Sequence, residues 1–258
     1  MPAFSALSTA RFQTIAIMNM HSDSLFDTSK LRSLARRALP ALAAAFLLAS
    51  SLWQVAMATT APRVKFVTSE GEFVVEVYPD KAPKTVENFL QYVKDKHYDG
   101  TVFHRVISNF MVQGGGYDAR YNEKPTRPPV PHEGREALAK GGDKNVMGTL
   151  AMARTNDPQS ATAQFFINVR DNDFLNPTPI PPGDPVPRFE YQGQVYNNTP
   201  RARLMNAPQL FGYTVFGKVV SGMEVVHKIK AVPTGAGGPF PSDVPKSSIL
   251  INSASLIK

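Results

Sequence analysis

Arg105 is the residue of this sequence whose type and position most clearly suggest chemistry. It stands in an apolar stretch that reads FHRVI over residues 103–107 and continues shortly afterwards as FMVQGGG. Strand alternation predicts that Arg105 shares one face with Phe103 and Ile107. A guanidinium keeps its charge and offers five N–H donors in a rigid fork, so at the edge of an apolar surface it could aim a donor at one polar atom of a ligand. Taken alone, a strand arginine more often forms a surface ion pair.

Later stretches of the sequence form one pattern together with the first. Residues 148–154 read GTLAMAR and residues 160–169 read SATAQFFINV, followed by FL at 174–175 and YTVFGKV at 213–219. In this order the stretches resemble the cyclophilin family of peptidyl-prolyl cis-trans isomerases, and in particular its exported bacterial branch. The resemblance extends from about Arg63 to Lys258. The strings FHRVI…FMVQGGG and AMAR…SATAQFFINV together form a highly specific pattern.

The reaction of this family explains what an arginine would do in such a stretch. Rotation about the peptide bond before proline faces a barrier of about 18–20 kcal/mol, and unaided it takes on the order of tens to hundreds of seconds. No bond is broken, so a catalyst needs an apolar pocket for the proline ring, anchors for the backbone and a donor aimed at the proline nitrogen. Such a donor stabilises the transition state more than the ground state. The resemblance therefore makes Arg105 the predicted catalytic residue.

The resemblance also implies a substrate-binding set. The predicted proline pocket is lined by apolar side chains: Phe110, Met111, Phe166 and Leu175. The other predicted substrate contacts are Gln113, Gln164, Ala153, Arg154, Phe174 and Tyr213. Of these, Gln113 and Gln164 are predicted to orient Arg105 or the substrate backbone. His104 is interpreted as a structural residue beside the site, because the reaction requires no proton abstraction.

Some positions depart from many eukaryotic members of the family. Phe174 stands where those members have tryptophan, Arg154 where they have asparagine, and Tyr213 where they have histidine. The residues at 174 and 154 put tight cyclosporin binding in doubt, but they do not threaten catalysis.

Short strands and two separated helices are predicted from Arg63 onward. Alternating residues predict a hairpin over 64–78 and strands over 213–220 and 248–257. Apolar residues at helical spacing predict one helix from Pro83 to about Lys96 and a second over 223–232. This set favours a mainly β, closed barrel. The resemblance sharpens the prediction to an eight-stranded antiparallel barrel capped by two α-helices, one at each end.

The loops are less informative. Residues 117–147 are predicted to be loop-rich, and residues 176–212 form a proline-rich insertion without clear periodicity, which departs from the family pattern. A disordered surface insertion is one interpretation, since long loops add little closure entropy. We favour a partly ordered flap beside the cleft, because the insertion follows Phe174 and Leu175 directly and long loops are often functional. Its arginines at 188, 201 and 203 indicate acidic or extended clients.

Composition excludes several functions. The chain has 258 residues and no cysteine, which rules out disulfides, thiolate metal sites and cysteine nucleophiles. The formal net charge is +7, but no basic stripe interleaved with aromatic residues is present, so nucleic acid is not a predicted partner. The five histidines show no ligand spacing, so neither a metal nor another cofactor is expected.

The N-terminal part reads as a targeting segment. Residues 1–29 are interpreted as an extension, either disordered or upstream of the true start codon. Residues 30–58 combine basic residues, an apolar run over 38–52 and Ala-Met-Ala at 56–58, as in a secretory signal peptide. Cleavage would release residues 59–258 as a periplasmic monomer that acts on proline-containing unfolded or extended polypeptides, without membrane contact. The alternative is an anchor in the inner membrane, because residues 38–58 are long enough to span it.

Two rival functions use the same features. A non-catalytic chaperone would hold proline-containing segments in the cleft without turning them over, and the joint presence of Arg105, Phe110, Gln113 and Phe166 argues against it. A barrel that binds a small apolar ligand would need a hollow interior, whereas the many large inward residues predict a filled small barrel.

Overall fold

The structure is a computed structural model that describes residues 61–257. The predicted N-terminal extension (1–29) and signal peptide (30–58), with the anchor alternative, lie outside these residues. None of the helices between 61 and 257 is long and apolar enough to cross a membrane.

Strands dominate the described part of the chain, and short helices separate some of them. The strands are β1 (Arg63–Thr68), β2 (Gly71–Val77), β3 (Thr101–Ile107), β4 (Met111–Asp118), β5 (Thr149–Met152), β6 (Phe165–Asn168), β7 (Val186–Tyr191), β8 (Gln194–Thr199), β9 (Val215–Ser221), β10 (Thr234–Gly237), β11 (Phe240–Pro245) and β12 (Leu250–Ile257). The α-helices are α1 (Pro83–Lys94), α2 (Gly134–Ala139), α3 (Arg201–Met205) and α4 (Met223–Lys230), and 3-10 turns cover Asp173–Leu175 and Pro208–Leu210.

Within residues 61–257, eight strands close into a barrel in the order β1-β12-β3-β4-β6-β5-β9-β2, and every neighbouring pair is antiparallel. The predicted fold class, a mainly β closed eight-stranded barrel, is confirmed. Two further hairpins, β7–β8 and β10–β11, stand apart from the barrel sheet.

Aromatic rings fill the barrel interior, as the large inward residues indicated. The ring of Phe66 lies 5.0 Å from Phe73 and 5.4 Å from Phe165. Helix α1 adds Phe89, whose ring lies 5.0 Å from that of Phe216. The same buried cluster takes in the apolar faces of both predicted helices, which are α1 and α4. Helix α1 ends at Lys94, slightly earlier than predicted, and Lys96 has a positive φ of 54° that a helix cannot continue through.

A β-bulge in β3 overturns the simple alternation expected around Arg105. Phe103 pairs with Gly114 and Arg105 pairs with Gln113, so β3 carries one extra residue at His104. Phe103 and Val106 therefore both lie in the barrel core. The prediction that Phe103 shares a face with Arg105 was wrong, because the extra residue turns Arg105 to the outer surface.

Several elements were not predicted. Helix α2 lies in the stretch expected to be loop-rich, and the insertion 176–212 contains the β7–β8 hairpin and α3. The hairpin is held by a small buried cluster of its own, formed by Val186, Phe189, Leu204 and Leu210. These elements are short, and prolines and glycines interrupt their apolar periodicity, so the sequence alone gave no clear signal for them.

Glu133 stabilises the start of α1 from a distant part of the chain. The N-cap residue Ala82 has no side-chain acceptor, and the buried Glu133 carboxylate accepts hydrogen bonds from the backbone of Lys84 (3.2 Å) and Thr85 (2.8 Å) instead. It also accepts from the Thr85 hydroxyl at 2.8 Å. A negative charge at a helix N-terminus is favourable, and the unpaired amides of the first turn need acceptors.

Replacing Glu133 should therefore destabilise the fold. We expect Glu133→Ala to lower the free energy of unfolding by about 1–3 kcal/mol, since it leaves buried donors of Thr85 unpaired. Glu133→Gln should cost less, because it loses the charge but keeps one acceptor. Urea denaturation measures both changes, with Glu87→Ala on the exposed face of α1 as the control. Equal stability of Glu133→Ala and the control would contradict this account.

Candidate active site

An apolar patch lies on the outer surface of the barrel, where β3, β4, β6, β5 and β9 run side by side. It is formed by the buried side chains of Met111, Ala151, Phe166, Leu175 and Val215, and its partly buried edge consists of Ile107, Phe110, Ala153 and Tyr213. We call this set the apolar cleft. It brings together all four predicted residues of the proline pocket, as well as Ala153 and Tyr213.

Polar residues border the apolar cleft on the β3–β4 side. Arg105 lies directly opposite Gln113 in the strand register, and Gln113 lies opposite Phe166 on its other side. The Gln113 amide donates to Gln164 Oε1 at 3.0 Å. Glycine at position 116 makes this possible, because a Cβ there would fall 2.5 Å from the Gln164 side chain. The predicted polar residues thus form one border of the cleft.

The guanidinium of Arg105 is half exposed and faces one carboxylate. Its side chain is 44% accessible, and Nε lies 3.7 Å from Oδ2 of Asp243 in strand β11. This distance is too long for a direct hydrogen bond, and half-exposed ion pairs are weak. Asp243 can therefore orient the arginine while its terminal N–H groups stay available to a ligand. Sequence reasoning missed Asp243, since nothing local marks a residue so distant along the chain as a neighbour of Arg105.

His104 packs beneath the β10–β11 hairpin and does not belong to the apolar cleft. Its ring centroid lies 4.7 Å from that of Tyr117 and 5.4 Å from that of Phe240. Burial lowers the pKa of His104 to about 4, and its Nδ1 finds no hydrogen-bond partner among residues 61–257. The side chain is therefore neutral at physiological pH.

A buried asparagine network supports the walls of the cleft. Asn168 donates to Thr149 Oγ1 at 2.9 Å and accepts from Asn172 at 2.8 Å. Asn172 also donates to the carbonyl of Phe110 at 2.9 Å. A third buried amide, Asn145, donates to the carbonyl of Leu175 at 3.1 Å. Within residues 61–257 one buried acceptor of this network, Asn172 Oδ1, has no partner, while the amide donors named here are paired and hold the backbone carbonyls in place. The asparagine within the apolar string FFINV was the available signal, which the sequence analysis did not use.

Arg154 and Tyr213 close the cleft at the end of β5. The guanidinium of Arg154 lies 4.6 Å above the Tyr213 ring and donates to the Gly212 carbonyl from both Nε (3.1 Å) and Nη2 (2.9 Å). Arg154 thus ties two segments together and shapes the wall. Beside it, a cavity of about 380 Å³ is bordered by Gln113, Ala153 and Gln164 among others.

Phe174 lies beside Phe110 at the edge of the cleft. The residue is 64% exposed, and its ring stacks on that of Phe110 at 5.5 Å. Every residue predicted from the sequence except His104 therefore lies in or beside the apolar cleft.

Comparisons with known proteins show which family this chain matches. Residues 63–256 match the family described as cyclophilin type peptidyl-prolyl cis-trans isomerase/CLD. Peptidyl-prolyl cis-trans isomerase B of Escherichia coli (strain K12) is 45% identical over 193 residues, which cover 75% of this chain and 98% of that protein. Peptidyl-prolyl cis-trans isomerase A of Dickeya dadantii (strain 3937) is 43% identical over 201 residues, covering 78% and 87%.

The fold is also found in a solved structure. A crystal structure of a cyclophilin type peptidyl-prolyl cis-trans isomerase from Cryptosporidium parvum matches with a TM-score of 0.51 and 20% identity, covering 77% of this chain and 98% of that one. The chain belongs to the cyclophilin family of peptidyl-prolyl cis-trans isomerases. It is accordingly an isomerase of that class.

Stability should fall as the pH is lowered from about 6.5 towards 4. In this window the unfolded chain, with a histidine pKa near 6.5, takes up a proton that folded His104, with a pKa of about 4, does not. The full loss is on the order of 3 kcal/mol. Half-buried His132, whose pKa desolvation also lowers to about 4, contributes in the same direction, and so does buried His97, whose pKa burial lowers.

Chemical denaturation at a series of pH values separates these contributions. His104→Phe should show a shallower fall in unfolding free energy between pH 6.5 and 4 than the unaltered chain, because one of the three imidazoles with a lowered pKa in the described part of the chain is gone. The carboxylates make the same contribution to the pH dependence of the unfolding free energy in both proteins. Their contribution therefore cancels when the two proteins are compared. Identical pH dependence of the two would show that His104 titrates normally.

Asp243→Asn should lower isomerase kcat/KM by about two- to fivefold, the scale of a half-exposed ion pair of up to ~1 kcal/mol. Added salt should lower the kcat/KM of the native enzyme towards that of the variant, since it screens the Arg105–Asp243 attraction. The assay is turnover of a short proline peptide at low and high ionic strength. Asp80→Asn, which removes an exposed ion pair with Lys81 away from the cleft, serves as control. If Asp243→Asn is as active as the control, Asp243 does not contribute to the site.

Proposed function

We propose that this protein accelerates cis-trans rotation about X-Pro peptide bonds in unfolded or extended polypeptides, with Arg105 as the catalytic residue. The observation that carries the proposal is the half-exposed guanidinium of Arg105 at the border of the apolar cleft, opposite Gln113. A permanent charge with free donors beside an apolar surface is what the reaction requires.

The apolar cleft supplies the binding site for the proline ring. Phe110, Met111, Phe166 and Leu175 present a largely buried surface to it, and each CH₂ group removed from water contributes about 0.8 kcal/mol. The asparagine network holds the carbonyls of Phe110 and Leu175, so these two residues keep their positions. A ring fixed there leaves the flanking backbone free to rotate about the peptide bond.

Arg105 supplies the electronic part of catalysis. An N–H aimed at the proline nitrogen stabilises its lone pair when the nitrogen becomes pyramidal, and this removes the conjugation that gives the peptide bond its barrier. Because the planar ground state offers no such lone pair, the interaction is stronger in the transition state. The hydrogen-bonded pair Gln113 and Gln164 lies beside Arg105 and fits the task of holding the substrate backbone.

A solved relative supports the substrate class. One crystal structure of the Cryptosporidium parvum isomerase, with a TM-score of 0.50 and 21% identity to this chain, was obtained in the presence of the dipeptide ala-pro. At this identity the two chains are alike in fold alone. That the present chain acts on proline-containing peptides is therefore part of the proposal.

The cellular setting is proposed from the sequence. The signal-peptide pattern of residues 30–58 supports export to the periplasm, where a monomeric isomerase would assist the folding of other exported proteins. Proline isomerisation is slow enough to limit folding, so a catalyst of this step would speed the folding of such proteins. Intact mass of the exported protein tests this: a chain that begins at Thr59 supports cleavage, and a full-length chain in the membrane fraction supports the anchor.

Arg105→Ala should lower turnover of a proline tetrapeptide by about 10²–10³-fold, as expected for loss of one preorganised donor. Stability should change little, because the side chain is half exposed. The measurement is a protease-coupled isomerase assay, with circular dichroism to verify folding.

Arg63→Ala is the matched control, since Arg63 is also a half-exposed strand arginine paired with a carboxylate, Glu76. It should turn over peptide normally. If folded Arg105→Ala has near-normal turnover, the proposed mechanism is wrong. If the unaltered chain binds proline peptides without turning them over, the protein is a non-catalytic chaperone instead.

A further inference from the structure

The insertion begins where a substrate would leave the apolar cleft. Phe174 stacks on Phe110 with one face, and the chain then continues through Asn176 and Pro177 into the insertion. The two rings are 5.5 Å apart, which is less than two residues of extended polypeptide at about 3.3 Å each. A peptide bound through its proline therefore passes Phe174 at about the second residue from that proline.

A groove of about 600 Å³ opens beyond Phe174. Its walls include Phe174, Pro177 and Pro179 from the segment 174–179, and Tyr191 and Gln192 near the tip of the β7–β8 hairpin. The volume falls within the range of about 300–1,000 Å³ that is usual for ligand sites. Prolines offer no N–H donor and the two aromatic side chains are largely apolar, so the groove suits apolar side chains.

The hairpin residues that line the groove pack against the segment that follows them, and this segment is fastened to helix α2. Arg135 of helix α2 donates to the carbonyls of Met205 (2.7 Å) and Leu210 (3.1 Å) in the insertion and lies 4.5 Å above the ring of Phe211. Tyr191 packs against the insertion's own buried cluster. The wall is thus held in place by defined contacts, as a preorganised binding surface requires.

Two of the three arginines that were expected to favour acidic or extended clients make contacts within the insertion, and the expectation itself stays a prediction. Arg201 donates to the carbonyls of Pro181 and Ile180, and Arg188 lies 3.5 Å from Glu190. The rim of the groove carries Lys144 together with Asp173 and Glu190, so both signs are present. The apolar side chains of the walls therefore determine which substrate side chains bind there.

We propose that this groove is a substrate subsite. It binds the segment of the polypeptide substrate that adjoins the isomerised proline, and it prefers leucine-like or aromatic side chains from about the second residue onward. The occupant is the substrate itself, because the groove is continuous with the apolar cleft through Phe174. The inference rests on the proposed isomerase function.

Kinetics on two peptides test the subsite. One is a proline tetrapeptide, and the other has the same core extended on both sides by leucine and phenylalanine residues. Exchange spectroscopy by NMR measures both without a coupled protease. The longer peptide should have the lower KM, and Tyr191→Ala should raise that KM by about three- to tenfold while tetrapeptide turnover stays unchanged.

Tyr196→Ala is the matched control. Tyr196 is also a half-buried tyrosine that packs against the same insertion cluster, but it lies outside the groove lining. It should leave both peptides unaffected. Equal effects of Tyr191→Ala and Tyr196→Ala, or no preference for the longer peptide, would overturn the subsite.

A direct binding readout keeps the test independent of turnover. The chain has no cysteine, so Gln192→Cys can carry a single fluorophore at the groove and Val220→Cys, exposed on β9, a reference one. The longer peptide should change emission at 192 and not at 220, and the tetrapeptide should change neither. No response at 192 would exclude the groove. Absence of tetrapeptide turnover by the unaltered chain would overturn the isomerase proposal separately, while the fluorophore still reports on the groove.

Discussion

The pairing of β3 with β4 across the bulge at His104 is the constraint on which the site depends. Phe103 must point inward, because its ring completes the aromatic interior beside Phe165. In a regular strand Arg105 would then point inward as well, and burying an unpaired guanidinium among aromatic rings costs several kcal/mol, as an order of magnitude. The extra residue removes this conflict. It leaves Phe103 in the core and places Arg105 outside, opposite Gln113.

The walls of the cleft are tied to buried polar groups of the barrel. The asparagine network reaches from Thr149 to the carbonyls of Phe110 and Leu175, and its asparagines at 145, 168 and 172 are fully buried. Since a buried amide that loses its partner is costly, the pocket walls cannot move without breaking stabilising contacts. A catalyst that works by positioning one donor needs such walls, because the transition-state interaction depends on geometry.

The insertion extends the barrel without disturbing it. Its hairpin has a small apolar cluster shared with Leu204 and Leu210, which a loop of prolines alone would lack, and Arg135 joins the segment after the hairpin to α2 by hydrogen bonds to backbone carbonyls. Tyr191 and Phe174 line the same groove, so the insertion adds a surface to the proposed substrate path and leaves the barrel sheet closed.

The sequence by itself determined the family, the closed barrel, both longer helices and the residues of the cleft, because these depend on long specific strings and on apolar periodicity. It identified Arg105 and Phe166 in this way. It could not determine the bulge at His104, which arises from the register between two strands, nor the neighbour Asp243, which is far away along the chain. The hairpin of the insertion was also decided by tertiary structure, since contacts between distant residues stabilise it and no local period specifies them.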